Sequence, residues 1–236
     1  MPVSIFASVL NLRFDEPALQ RFAETDGYGY KTGNLQELKK LVDVFNEGEH
    51  PLKVQVPDFV GIQSGQIVAA LEKVQFKVLD EWKKVLATLT AANQEEVRKS
   101  KQLPEKFWEA QKAFVVKLRK AFKTLETTRK DNPFGLSDEQ QAMLEKLFKD
   151  AQSDKLMVRS TGKEDTRKLA NAGGNESIAN VAPTMSAVLK AAEEVVVSYF
   201  GEKSLNQRLG LGDTTLFAEE VFCPVLVQRM IGEREG

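Results

Sequence analysis

Apolar positions along this chain alternate between two periods, and the switches outline its elements. At the N-terminus Val3, Ile5, Ala7 and Leu10 supply part of an alternating pattern that predicts a strand. Phe14 to Thr25 changes to helical spacing through Leu19, Phe22 and Ala23, and a further helix is expected from about Asn34. Val54 to Ile62 reads as a strand broken by Pro57, hence an edge or irregular element. Leu156-Met157-Val158 predicts a buried strand. After Pro183, Met185, Val188, Leu189, Ala192, Val195, Val196 and Tyr199 form the buried stripe of a helix. A short helix over Ser204 to Leu209 ends in Gly210-Leu211-Gly212. Val221 to Met230 closes the pattern as a strand in which Pro224 marks an edge or a bulge.

Between these, Ser64 to Asp150 is helical in period throughout. Val74, Val78, Trp82, Val85 and Leu89 make one stripe, and Trp108, Val115, Leu118, Phe122 and Leu125 another. Breaks fall at Leu103-Pro104 and at Asn132-Pro133-Phe134-Gly135, and Ser137 with Gln140 forms a capping box that opens a third helix through Met143, Leu144, Leu147 and Phe148. A single helix over Gly65–Ala92 would be about 40 Å long at about 1.5 Å per residue, so a helical hairpin packed partly on itself is expected. The aromatic stripes read as core, and the charged faces as solvated. The fold class that results is α+β: a small antiparallel-rich sheet with flanking helices and a long helical insertion. Three divisions follow, residues 1–63, the insertion 64–150, and 151–236.

Composition narrows the function. Lys and Arg total 33 against 34 Asp and Glu, a net charge of −1, which argues against a generic nucleic-acid or membrane-surface binder. Cys223 is the one cysteine, set in an apolar run, so no disulfide within the chain and no thiolate zinc site is available. No apolar run reaches the roughly 18 residues of a spanning helix, the N-terminus lacks a signal-peptide pattern, and a cytoplasmic location is expected. His50, the one histidine, is flanked by Glu49 and Pro51 and has no evident partner for acid–base work.

Two stretches carry candidate chemistry. In Leu156 to Val181, Arg159 stands where a strand gives out, followed by Ser160 and Thr161, by Glu164-Asp165, and by Ala172-Gly173-Gly174-Asn175-Glu176-Ser177. A guanidinium offers a fixed fork of donors, and glycines let backbone N–H groups approach phosphate oxygens. A surface ion pair beside a glycine turn is the plainer account of the same spacing. In Gly27-Tyr28-Gly29-Tyr30-Lys31-Thr32-Gly33-Asn34, a loop brings Lys31 to a helix start, where it is a candidate anion ligand or simply a solvated lysine.

Taken together, these motifs resemble the nucleotide-binding domain of the phosphoenolpyruvate synthase and pyruvate phosphate dikinase family. That family has V-R-S-S/T, E-D, A-G-x-x-E/D-T/S and N-V/L in this order. Here they are Val158-Arg159-Ser160-Thr161, Glu164-Asp165, Ala172 to Ser177, and Asn180-Val181. The family's G-G-K-G-A-N-L-x-E-L is similar to the stretch holding Lys31, Asn34, Leu35, Glu37 and Leu38, with Tyr30 where the family has its second glycine. V-P-P-G-F-V-I and V-x-V-Q-x-M resemble the strands at Val54–Ile62 and Val225–Met230. The resemblance covers about residues 24–62 and 155–232.

The resemblance implies an ATP-grasp fold and an ATP-dependent phosphotransferase. Lys31 and Arg159 would contact phosphates and act in the transfer. Ser160, Thr161, Ala172, Gly173, Gly174, Asn175, Glu176 and Ser177 would complete the nucleotide site, and Glu164 and Asp165 would either position the loop or pair with Lys163 or Arg167. Phosphate would pass from ATP to a histidine on a separate domain and then to pyruvate. The Mg²⁺ ligands, the phosphohistidine domain and the pyruvate domain are expected outside this chain, which then reads as the first lobe of a longer enzyme. A related dikinase acting on an antibiotic or a glucan is compatible with the same residues, and so is a homo-oligomer. A non-catalytic reading is a helical partner-binding module with a vestigial nucleotide lobe, to which Tyr30 lends support.

Overall fold

Strand segments far apart in the chain pair into one four-stranded antiparallel sheet in the order β1-β4-β2-β3. In the computed structural model, residues 15–47, 55–150, 155–162, 174–213, 217 and 220–230 are described. The expected N-terminal strand, His50, Glu164, Asp165, Ala172 and Gly173 lie outside them. The strands are β1 (Phe59–Ile62), β2 (Leu156–Ser160), β3 (Ser177–Val181) and β4 (Val225–Arg229). The α+β class is thus observed, with every strand pair antiparallel.

Register assigns the two faces of the sheet. Val60 pairs with Val227 and Val227 with Val158, so these three share one face, and Ile62, Val225 and Ser160 share it one pair along. Gly61, Leu226, Arg159 and Ser177 fall in a row on the opposite face. Burial along β2 alternates accordingly, with Leu156, Val158 and Ser160 buried and Met157 and Arg159 half-buried. Asn180, at φ 60, supplies the left-handed residue in β3 where the register with β2 shifts.

Proline shapes two strands. β1 starts at Phe59, past Pro57, and among the described residues it is an edge strand, as expected. On its open side the Gly61 carbonyl accepts a hydrogen bond from Gln140 Nε2 at 2.8 Å. Pro224 is a correction: it neither sits at an edge nor makes a bulge within a strand. It stands just before β4, the strand flanked by both β1 and β2. A residue without an N–H cannot continue a ladder on both sides, so the strand begins after it.

The helices that follow β1 and β3 cover the Val60–Val227–Val158 face. α1 (Glu16–Gln20) runs into a π-helical turn, Arg21–Thr25, and α2 covers Tyr30–Asn46. The helical region holds α3 (Ser64–Lys73), α4 (Val78–Leu86), α5 (Ala91–Ser100), α6 (Glu105–Thr128) and α7 (Asp138–Asp150). After β3 come α8 (Met185–Tyr199) and α9 (Glu202–Gly210). The Ser137–Gln140 capping box forms, with Gln140 N–H on Ser137 Oγ at 3.2 Å and Ser137 N–H on Gln140 Oε1 at 3.0 Å. The Asn132–Gly135 break is closed by Asn132, whose side chain accepts from Leu136 N–H and donates to Leu136 C=O.

As expected, Gly65–Ala92 is not one long helix: it holds α3 and α4, and α5 starts at Ala91. α3 stops at a Schellman turn, in which Phe76 N–H reaches Leu71 C=O at 3.0 Å and Gln75 N–H reaches Glu72 C=O at 2.9 Å. Gln75 takes the left-handed conformation, φ 64, and Phe76 folds into the core. The stripe survives the break, since Val78, Trp82, Val85 and Leu89 are all buried. They pack chiefly on α6, within the same helical region: Trp82 meets Phe114 there, and Phe200 just past α8, with ring centroids 5.3 and 4.8 Å apart. Gln111, buried in α6, donates to the Phe200 carbonyl at 2.6 Å. On the surface, Arg119 of α6 forks onto Glu194 of α8 at 2.6 and 2.8 Å and also reaches Glu193. A single cluster of buried side chains runs from these helices to Leu156, Val158, Val225 and Val227. Among the described residues no helix is long and apolar enough to cross a membrane.

Candidate functional site

The Gly27–Thr32 stretch and the end of β2 meet. Gly27 and Gly29 both have positive φ, 77 and 79, which bends the chain into the start of α2. The helix begins at Tyr30, four positions before the expected Asn34, so Tyr30, Lys31 and Thr32 occupy its first turn. Gly29, the residue before it, has no side chain to serve as a cap. The cap comes from elsewhere: Thr161 Oγ1 accepts the Thr32 N–H at 2.9 Å and lies 3.1 Å from Thr32 Oγ1. The backbone contact is equally close. A Cβ on Gly29 would fall 1.3 Å from the Thr161 carbonyl oxygen, so only glycine fits.

The same loop is tied to the sheet through α3 and β4. Gly27 C=O accepts from Ser64 N–H at 3.0 Å. Ser64 Oγ in turn donates to Val221 C=O and accepts from Cys223 N–H. Phe22 and Tyr28 stack with ring centroids 4.4 Å apart, and Tyr28 lies against Gly61, where a Cβ would come within 2.7 Å of Tyr28 Cδ1 and of Thr32 Cγ2. The start of α2 therefore covers the sheet face that carries Gly61, Leu226 and Arg159. Arg159 lies two strands from Gly61, about 10 Å at about 4.8 Å per strand.

Arg159 is half-buried, and its Nε is shut from solvent with no hydrogen-bond partner. Asn175 Oδ1, an acceptor, is likewise buried and unpartnered. Gly174 is buried, while Glu176 and Ser177 are exposed, with Ser177 directly opposite Arg159. Glu176 N–H is held by Ser198 Oγ at 2.9 Å, and its carbonyl accepts from Ser160 N–H at 3.3 Å, which fixes the outgoing arm of the glycine segment. Ser160 alternates to the opposite, helix-covered face, so its side chain does not join Arg159. Lys31 is half-buried in the first turn of α2.

Two tyrosines set the local chemistry. Tyr30, in the resembling family's glycine position, hydrogen-bonds Glu24, and burial followed by that carboxylate pushes its phenol up to about 12. It stays neutral at physiological pH. Tyr199, the last residue of α8, receives Thr161 N–H at 3.0 Å and donates to Pro224 C=O at 2.7 Å. Sequence reasoning missed Gly29, the Thr32–Thr161 pair and Tyr199. No local pattern marks them, because each acts on a residue far along the chain.

The arrangement sets two cationic side chains, Lys31 and Arg159, on elements joined at Thr161, and offers an unpartnered guanidinium N–H, groups that can hold an oxyanion. Among the described residues no group of three or more His, Cys, Asp or Glu side chains could hold a metal ion. Cys223, buried beside Ser64, has its thiol pushed up to about 12 by burial, which leaves it an inert filler. Compared with protein-family models, with curated proteins and with solved structures, the chain finds no match in any of the three.

Proposed function

We propose that this chain is the ATP-binding portion of a phosphoenolpyruvate synthase-like dikinase, of ATP-grasp type, whose phosphate passes to a histidine on a separate domain and then to pyruvate. The observation that carries the reading is one contact. The Lys31 loop and the Arg159 strand end, recognised as separate motifs, are joined by a buried hydrogen bond between residues 129 apart. Phosphoryl transfer asks the protein mainly to position the phosphates and cancel their charge. In this reading Arg159 grips phosphate oxygens with its planar fork, Lys31 adds a second cation from the α2 start, and the Gly174–Asn175 backbone closes on the other side. The unpartnered Arg159 Nε supports it, since a dry donor without an acceptor costs about 1–3 kcal/mol until one arrives. Mg²⁺, bound with ATP, would be held by residues of a second lobe and would neutralise phosphate charge. Pyruvate is the acceptor favoured by the resemblance; an antibiotic or glucan acceptor would use the same half-site.

Calorimetric titration of Mg-ATP into the parent chain and Arg159→Ala tests this. The parent is expected to bind, and the variant to lose at least about tenfold in affinity, as befits a charge-assisted hydrogen bond, with an unchanged circular dichroism spectrum. Equal affinity in the two chains would overturn the assignment of Arg159.

A further inference from the structure

The β2–β4 ladder ends with the pair Ser160 and Val225. The next pair would be Thr161 with Pro224, and a proline has no N–H to give. Into this position comes the Tyr199 hydroxyl, which accepts from Thr161 N–H at 3.0 Å and donates to Pro224 C=O at 2.7 Å. The phenol thus bridges the two groups of that rung that remain, the Thr161 N–H and the Pro224 C=O. It extends the hold on β2 by one residue, to Thr161, whose own hydroxyl is the one that caps α2 through Thr32. Thr161 and Thr32 are both fully buried, at 0 % and 1 % exposed, so water cannot stand in for either bond.

We infer that Tyr199 is a positioning residue for the anion site: its hydroxyl fixes the Thr161 backbone so that Thr161 holds the Lys31-bearing end of α2 against the sheet face of Arg159. Thr161 lies two residues beyond Arg159, and Lys31 is the residue before Thr32. A shift of Thr161 by a fraction of an ångström changes the separation of the two cations. The ligand half of this inference rests on the nucleotide reading above, whereas the capping half does not.

The test reads both halves, using amide hydrogen exchange and titration of sodium triphosphate on the parent chain, Tyr199→Phe, Thr161→Ser and Thr161→Val. In Tyr199→Phe the Thr161 and Thr32 amides are expected to lose about tenfold in protection relative to Leu118 and Phe122 amides in α6. Triphosphate affinity is expected to fall by a similar factor. Thr161→Ser keeps the hydroxyl and should retain both properties, and Thr161→Val should lose them. Unchanged Thr32 protection in Tyr199→Phe overturns the positioning role. Unchanged triphosphate affinity in a Tyr199→Phe chain whose Thr32 amide has become exposed overturns the link to the ligand. A parent chain that binds no triphosphate overturns the nucleotide reading instead, and the exchange data then decide the cap alone.

Discussion

Gly29 carries more constraint than any charged residue near it. Its φ of 79 already disfavours a side chain, and the Thr161 carbonyl occupies the place where a Cβ would go. Gly29→Ala must therefore pull α2 off the end of β2, with a cost of at least about 2 kcal/mol from strain and a displaced cap. Chemical denaturation of the variant should show that loss, and a stability within about 0.5 kcal/mol of the parent would mean the contact is not maintained in solution. Arg159 is the opposite case. Nothing in the described structure uses its Nε, so Arg159→Ala is expected to disturb binding more than folding. At this scale the sequence revealed the residues with a charge to offer, Lys31 and Arg159. Thr161 stood in it as a candidate nucleotide contact, but the cap it gives Thr32 and the bond it makes to Tyr199 exist only once strand ends and a helix start have met.

Where an element begins or stops was legible when the signal was local. Ser137 and Gln140 cap each other across three residues, and Asn132 closes a turn on Leu136, so both boundaries could be read directly. α2 starts early because its cap is supplied from 129 residues away, which no window of sequence contains. The end of α3 carries no such local mark, because Gln75, not glycine, occupies the left-handed position of its terminal turn. Hydrophobic spacing carried straight through that break, since Phe76 and Val78 are buried on either side of Lys77. Gln75 is exposed, so Gln75→Gly should relieve its backbone without removing a packed side chain. A gain of about 0.5–1 kcal/mol, or roughly 1–3 °C in Tm for a chain of this size, is the expected outcome in a thermal melt. A fall in Tm would show that the Gln75 side chain contributes something the structure does not display.

Across the whole molecule, the helical region and the sheet share one continuous core. Leu118 in α6 is 0 % exposed, and α6 packs on α8, which in turn packs on the strands. Leu118→Ala is expected to cost about 2–5 kcal/mol. The informative measurement is where that loss appears. If the core acts as one cooperative unit, exchange protection at β4 amides such as Val227 falls together with that of α6, although no strand residue was changed. Protection retained at β4 would make the helices a separately melting unit. The α+β class was readable from the alternation of periods because both faces of the pattern end in this core. The strand order was not, since pairing partners such as Phe59 and Gln228 leave no mark on each other's neighbours.

That order has a consequence for how the chain comes into being. Of the described strands, β4, which lies between β1 and β2, comes last in the sequence. During synthesis β1 emerges well before β4, its partner among the described strands, and β2 and β3 form a two-stranded ribbon, which is marginal in water. The Phe59–Gln228 and Leu156–Arg229 partners meet only after the residues through Arg229 have left the ribosome. Closing loops of that length comes before any reward from the contacts, so assembly should be slow and late. Until then the nascent chain presents an unfilled slot the width of one strand, a natural point of engagement for a chaperone.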